Sequence, residues 1–314
     1  MKVIVIGGSG HIGTYLVPML VNNGYEVTNI TRGQHKPYED NSGWDKVKSI
    51  VLDRKSEDFE KNIAEQNADI VIDLINFNIN DTVNIAEALK KTNCKHYLYC
   101  SSCWARGLAD CLPFKSGEET GTPLCAYGKD KLASERYLCE QYKQNGFPAT
   151  CIRPGQISGA GWDIISPWGN LSKEPFKRIA KGEEIYLPNF GMETIHHVHA
   201  YDVAQVFYNA VTYRENALGE VFEAACGASV TLYGYAKLMY EFFGKEPEIK
   251  FLSWDKWCEY EGNAEECEHT YLHIARSGCY DIEKEKQLLN YKPKYTNIET
   301  IKLAVQSYID RGLI

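Results

Sequence analysis

Apolar and polar positions come in regular blocks through the first half of the chain. Short apolar, mostly β-branched runs predict strands at VIVIG (3–7), YEVTNI (25–30), SIVLD (49–53), DIVIDLI (69–75), HYLYCSS (96–102) and ATCIRP (149–154). A strand covered on both faces reads as such a near-continuous run. Between them, residues 11–23, 80–92 and 127–144 carry apolar positions at helical spacing. Strand and helix alternating at this period predict a parallel sheet with right-handed crossovers and helices on both faces, a doubly wound Rossmann fold of the α/β class.

After about residue 158 the rhythm breaks. Trp, Pro and Gly cluster over 159–170, HHVHAYDVAQVFYNAV (196–211) reads as a short strand running into a helix, EVFEAA (220–225) as another strand, and 232–244 as a helix. This divides the chain into a dinucleotide-binding domain (1–158 and 195–225) and a smaller C-terminal substrate-binding lobe (159–194 and 226–314). The segment 252–272 shows no clear period, and a lid over the substrate pocket and a packed lobe core both remain open for it.

Composition changes this picture little. A chain of 314 residues, 44% apolar and 24% charged, buries enough surface to need no disulfide or metal staple. A formal charge of −8 weighs against a nucleic-acid partner. No stretch approaches the roughly 18 apolar residues of a membrane span, and the apolar run in MKVIVIGGSG is too short for a signal-peptide core. The expectation is a soluble, cytoplasmic protein. Its eleven cysteines, unframed in spacing, fit reduced thiols, and Cys100 and Cys103 form a single CxxC at a strand end.

Candidate chemistry begins at the first strand–helix turn. Gly7, Gly10 and Gly13 stand three apart there, allowing a tight turn, close approach of a pyrophosphate, and close packing of helix on strand. His11 and Ile12 complete that loop, whose free N–H groups favour an anion. An acid ending the second strand would bind the 2′-hydroxyl of NAD. Here the strand ends Thr31-Arg32-Gly33. Arg32 would pair with a 2′-phosphate, with His11 as a second donor, which favours NADP over NAD. Asp53, ending the third strand, is placed to accept from the adenine amino group. Leu74, Ile75 and Asn76, ending the fourth, should line the adenosine side.

Tyr127 and Lys131 are four apart near the start of a helix and so share one face. A free tyrosine, with a pKa of about 10, is a poor base at neutral pH. An ammonium nearby, joined by a nicotinamide cation, would lower that value and let the phenol exchange a proton with an alcohol or ketone. Ser101 and Ser102 end the fifth strand, on the edge where this fold binds ligands. Ser102 is the candidate to hold the substrate oxygen.

Taken together these segments resemble the extended short-chain dehydrogenase/reductase family, also called the NAD-dependent epimerase/dehydratase family. GGSGHIG is similar to its glycine signature, YLYCSSCWARG to its serine strand, AYGKDK to its Tyr-Lys segment, CIRPGQISG to its post-catalytic strand and HVHAYDVAQ to its domain-crossing segment. The resemblance implies Ser102, Tyr127 and Lys131 as the catalytic set, Pro154 near the nicotinamide, and Gln156 facing the substrate. Cys103 and Trp104 stand where the family's 4,6-dehydratases place acids, which disfavours that dehydration and leaves Cys103 as a candidate substrate contact. Ile195 stands where nucleotide-sugar members carry a diphosphate-clamping arginine. Arg276 is a replacement whose spacing to Tyr280 and Asp281 is shorter than the pattern. The Thr-Arg-Gly ending of the second strand also resembles an offshoot of the family with RNA-associated chloroplast members. The family further implies a homodimer pairing through the Tyr-Lys helix, with Leu132, Tyr137 and Leu138 as apolar contacts.

Of His196, His197 and His199, the last two could converge on one strand face, but no nearby Cys or acid pair completes a site at good spacing, so they read as hydrogen-bonded strand histidines and no metal site is expected. Two functions remain. One is an NAD(P)-dependent oxidoreductase or epimerase acting on a secondary alcohol or ketone carbon of a sugar-like substrate. The other is a non-catalytic NADP-binding sensor or scaffold, which would have no need of an intact Ser-Tyr-Lys set.

Overall fold

The structure is a computed structural model describing residues 1–314. Its centre is a seven-stranded sheet, all parallel, in the order β11-β6-β5-β4-β1-β2-β3. The strands are β1 (Lys2–Ile6), β2 (Glu26–Thr31), β3 (Lys48–Val51), β4 (Ile70–Asp73), β5 (His96–Cys100), β6 (Ala149–Pro154) and β11 (Val221–Ala224). The helices α1 (His11–Asn22) and α6 (Ala200–Thr212) cover one face through Leu16, Leu20, Val203 and Phe207. The other face is covered by α2 (Phe59–Glu65), α3 (Ile79–Leu89) and α4 (Ala126–Asn145) through Phe59, Ile85 and Leu138. The strand order turns back between β1 and β4, so a crevice opens at their carboxyl ends, the place where this architecture binds ligands.

Each predicted strand forms. The third, however, ends at Val51, two residues before Asp53. Asp53 instead begins a turn, accepting the Lys55 N–H at 2.9 Å on its own carboxylate.

The lobe carries its own core. Short pairings tie it together: β7 (Gln156–Ser158) with β10 (His197–His199), β8 (Ile185–Pro188) with β13 (Ile249–Leu252), and β9 (Thr194–Ile195) with β12 (Val230–Thr231). The helices α5 (Glu174–Lys181), α8 (Leu232–Phe242), α9 (Trp254–Glu261), α10 (Ala264–Ile274) and α12 (Asn297–Asp310) surround them. The unperiodic stretch 252–272 is thus the α9–α10 pair, turned at Gly262 and capped by Asn263. Trp257 is fully buried and donates to the Tyr186 carbonyl at 3.0 Å, so this segment packs the lobe and does not line the crevice. Two helices return to the sheet: α7 (Arg214–Ala217) leads into β11, and α11 (Glu283–Leu289) sets Leu289 into the sheet core with Ile282 and Tyr291.

The apolar residues named for pairing along α4 are used inside the protomer. Leu132 and Leu138 are buried, and the Tyr137 hydroxyl donates to Glu87 at 2.7 Å. The outward face of α4 carries Lys129, Arg136, Glu140 and Lys143, so a dimer held by those apolar contacts does not follow from this surface.

Candidate active site

The glycine loop is built for close approach. A Cβ on Gly13 would stand 2.0 Å from the Gly8 carbonyl oxygen, so helix and loop touch backbone to backbone. Gly10 occupies the N-cap of α1 and offers no capping side chain. The first-turn N–H groups, which have no intrahelical partner, therefore face the crevice that Gly10, His11, Ile12 and Gly13 line. That is the donor set a dinucleotide pyrophosphate needs, and it fits one.

The crevice, of about 450 Å³, brings together Gly7, Leu74, Ile75, Ser102, Tyr127, Lys131, Pro154 and Gln156. A neighbouring pocket of about 380 Å³ carries Thr31 and Arg32 with Gln34, His35 and Tyr38, and shares Gly7, Gly10 and Ile75 with the first. No carboxylate lines this second pocket.

Three named residues lie elsewhere. Asp53 is exposed in its turn and lines neither pocket. Asn76 is fully buried behind the crevice, its carbonyl accepting from Lys131 and its side-chain oxygen from the Thr82 hydroxyl at 3.2 Å. Cys103 is buried behind a 3-10 turn over 103–105, and burial raises its thiol pKa. Trp104 takes its place on the crevice wall. Cys100 is buried as well, its thiol pushed up to about 11.

α4 presents its inner face to the end of β5 in three successive turns. Tyr127 lies beside Ser102. Lys131 Nζ donates to the carbonyls of Asn76 at 2.5 Å and Cys100 at 2.7 Å. Glu135 accepts from the Ser101 hydroxyl. Gly128 permits the approach, because a Cβ there would stand 2.1 Å from the Trp104 carbonyl oxygen. Ser102 turns its hydroxyl to the Trp104 N–H at 3.2 Å and lines the crevice.

Beneath this set lies a buried ion network. Arg153 binds Glu135 at 2.5 Å and Glu223 at 3.4 Å, and Arg106 binds Glu223 at 2.6 Å. The network joins α4, β6, β11 and the segment that follows the turn after β5. Sequence reading did not find it, because nothing in the spacing of 106, 135, 153 and 223 announces a contact.

The electrostatics of Tyr127 differ from the expectation. With 36% of its surface exposed, it stands between Phe77 (ring centres 6.4 Å apart) and Trp104 (5.9 Å). Burial among these groups raises its pKa, with the Ser102 hydroxyl opposing. Burial lowers that of Lys131. The ammonium, committed to two carbonyls, does not by itself make the phenol acidic. His11 is likewise no cationic donor, since burial lowers its pKa to about 3 and keeps the ring neutral.

The three histidines of the 196–199 segment are each engaged. His196 accepts the Cys226 N–H at 3.1 Å, His197 bonds the Ile165 carbonyl at 3.1 Å, and His199 caps α6 through the Tyr201 N–H at 3.1 Å. Three further aromatic residues, Phe77, Trp104 and Trp162, shape the crevice and were not singled out by spacing as its walls. Arg276 is 2% exposed, lies 5.0 Å from the Trp104 ring, and has no hydrogen-bond partner at either terminal nitrogen.

Comparisons with known proteins agree with this architecture. The model of the NAD dependent epimerase/dehydratase family matches residues 3–225. The chloroplast stem-loop binding protein of 41 kDa b of Arabidopsis thaliana is 30% identical over a 323-residue alignment, covering 99% of this chain and 80% of that protein. Among solved structures, the UDP-glucose 4-epimerase of Thermotoga maritima, with UDP-glucose, superposes with a TM-score of 0.75 at 22% identity over 99% of each chain. The UDP-glucuronic acid 4-epimerase of Bacillus cereus, in complex with NAD, does so with a TM-score of 0.74 at 18% identity over all of both chains. At those identities the two structures share the fold.

Proposed function

Since this chain belongs to the NAD dependent epimerase/dehydratase family of enzymes, we propose that its crevice binds NADP or NAD and that Ser102, Tyr127 and Lys131 exchange a proton at a secondary alcohol or ketone carbon of a sugar-like substrate. The observation that carries this reading is the convergence of the glycine loop and all three side chains on one crevice. The cofactor, when bound, supplies a nicotinamide that takes up or returns hydride. Ser102 presents its hydroxyl to the substrate oxygen. Tyr127 takes the proton from an alcohol or gives one to a ketone. Lys131, with two of its three N–H bonds fixed on carbonyls, keeps one for a ligand and holds a positive charge beside the phenol. Phe77 and Trp104 flank the Tyr127 ring on the crevice wall.

NADP is the cofactor favoured, because Arg32 stands on the adenosine-side pocket without a competing acid. Arg276 extends the reading to substrate class. A buried guanidinium without a partner is costly, and an anionic group on the sugar, phosphate or carboxylate, would pair with it once Trp104 moves aside. The test is calorimetry with NADP and NAD, followed by turnover on neutral sugars, sugar phosphates and nucleotide sugars. Dinucleotide binding with turnover on an anionic sugar supports the reading, and failure to bind either dinucleotide overturns it.

The second reading, an NADP-binding scaffold without turnover, is favoured by the Arabidopsis relative, which is named for binding a stem-loop. Tight binding of a structured RNA by a protein inert on every sugar would move the assignment there. The net charge of −8 argues against it.

A further inference from the structure

Trp162 lies in the loop after β7, in the second lobe, yet it reaches the first turn of α1. Its indole is stacked on the His11 imidazole, with centroids 4.8 Å apart and planes 14° from parallel. The Tyr38 ring stands edge-on to both, 5.3 Å from His11 and 5.6 Å from Trp162. The loop is fixed at both sides of this contact. A Cβ on Gly161 would stand 2.8 Å from the Tyr38 ring, so the backbone passes at closest approach. The Gly161 N–H donates to the Ser307 hydroxyl at 2.9 Å, which ties the loop to α12. Trp162 lines both the Tyr127 crevice and the adenosine-side pocket. Any ligand that spans the two passes this indole.

A second observation points to what passes there. α1 begins at the glycine loop with no side-chain cap on its first-turn N–H groups. At its first position His11 is only 3% exposed and neither ring nitrogen has a hydrogen-bond partner. The Ala160 backbone is the nearest polar neighbour, and its contact with the ring is too loose to satisfy it. A neutral imidazole has one N–H to give, and buried polar groups left unpaired in this way call for a partner. A diphosphate bridge seated on the helix terminus would take that N–H together with the free backbone N–H groups.

We infer that Trp162, seated on the His11 ring, is a strap beside the cofactor's pyrophosphate where the two pockets meet, so that cofactor release requires the indole to lift. The inference rests on the dinucleotide reading of the crevice. It assigns to the second lobe a residue that positions the cofactor and slows its exchange, and it favours return of hydride to the same substrate molecule over exchange of the reduced cofactor.

The test is the dissociation rate of NADPH from the full-length protein, followed by its fluorescence on displacement with excess NADP. Loss of one aromatic contact in Trp162→Ala should speed dissociation roughly threefold to tenfold, with the association rate little changed. Trp162→Phe, which keeps a stacking ring, should stay within about twofold of wild type. His11→Phe keeps the stack but loses the N–H, and should weaken affinity roughly tenfold or more. Because Trp162 is 37% exposed on a loop, its two variants should fold, and circular dichroism checks the fold of all three. A wild type that binds NADPH while Trp162→Ala releases it at an unchanged rate overturns the strap alone. A wild type that binds no dinucleotide overturns the cofactor reading, and the strap with it.

Discussion

Lys131 Nζ stands 5.5 Å from the centre of the Tyr127 ring while two of its donors are fixed on the carbonyls of Asn76 and Cys100. The ammonium is therefore held in place before any ligand arrives, but its charge is shared with backbone dipoles and burial dominates the phenol. In the protein alone Tyr127 should remain protonated at pH 10, the ordinary tyrosine value. A difference spectrum between wild type and Tyr127→Phe should show no phenolate there. Adding oxidised cofactor brings a second positive charge, and the Tyr127 phenolate band should then appear at lower pH. A phenolate already present at pH 9 in the cofactor-free protein would mean that Lys131 alone sets the titration.

Arg32 decides between the two dinucleotides in this account. The wild type should bind NADP(H) more tightly than NAD(H), and Arg32→Ala should narrow the gap by on the order of 1.5–3 kcal/mol, the worth of a charge-assisted pair to phosphate. Calorimetry that finds NAD bound at least as tightly by the wild type would reverse the assignment.

Gly128 sets the distance between the Tyr-Lys helix and the serine turn. A methyl group 2.1 Å from the Trp104 oxygen cannot be accommodated without moving one of them. Gly128→Ala should thus displace Tyr127 from Ser102 and lower turnover, by up to about 10² for a shift near 1 Å, while dinucleotide affinity falls less. Unchanged turnover would show that the two segments need not touch.

The histidines predict acid lability. Six of the eight, His11, His96, His196, His197, His199 and His273, have pKa values lowered to about 3 or 4, chiefly by burial. Unfolded, each titrates near 6.5, so below that pH the unfolded chain takes up protons that the folded chain refuses. Stability present above pH 6.5 is lost as pH falls toward 4, by about 1.4 kcal/mol per pH unit for each such group. Two carboxyl groups act in the opposite sense. Burial raises Asp202 to about 6 and Glu285, which faces Glu223, to about 7, so each costs stability as pH rises through those values. With six groups against two, Tm should fall between pH 7.5 and pH 5.5, and Glu285→Gln should raise Tm more at pH 8 than at pH 5. Equal midpoints at pH 5.5 and 7.5 would contradict the burial of these histidines.

What could be read in the sequence follows from what local pattern encodes. The strands, the glycine loop and the Tyr127–Lys131 face are set by periods of two to four residues, and each forms where the pattern put it, with strand ends shifted by up to two residues. Asp53 lies outside both pockets because its strand ends two residues earlier, a boundary that local pattern does not fix, and its carboxylate accepts the Lys55 N–H. Cys103 failed for a related reason: the 3-10 turn after Ser102 sends Cys103 inward and Trp104 to the crevice. Leu132 and Leu138 look alike for a dimer face or a monomer core, and only the packing of α4 chooses between them. The pairing of Trp162 with His11, and of Arg153 with Glu135 and Glu223, joins residues far apart in the chain, where sequence pattern carries no signal.

The central claim is that Tyr127 moves the proton. The measurement is turnover, on whichever sugar the wild type accepts, by wild type and Tyr127→Phe, with cofactor affinity measured alongside. The account predicts a loss of roughly 10²–10⁴ in turnover with cofactor affinity nearly unchanged, and a loss of both in Lys131→Met. Turnover by Tyr127→Phe close to that of the wild type would contradict it.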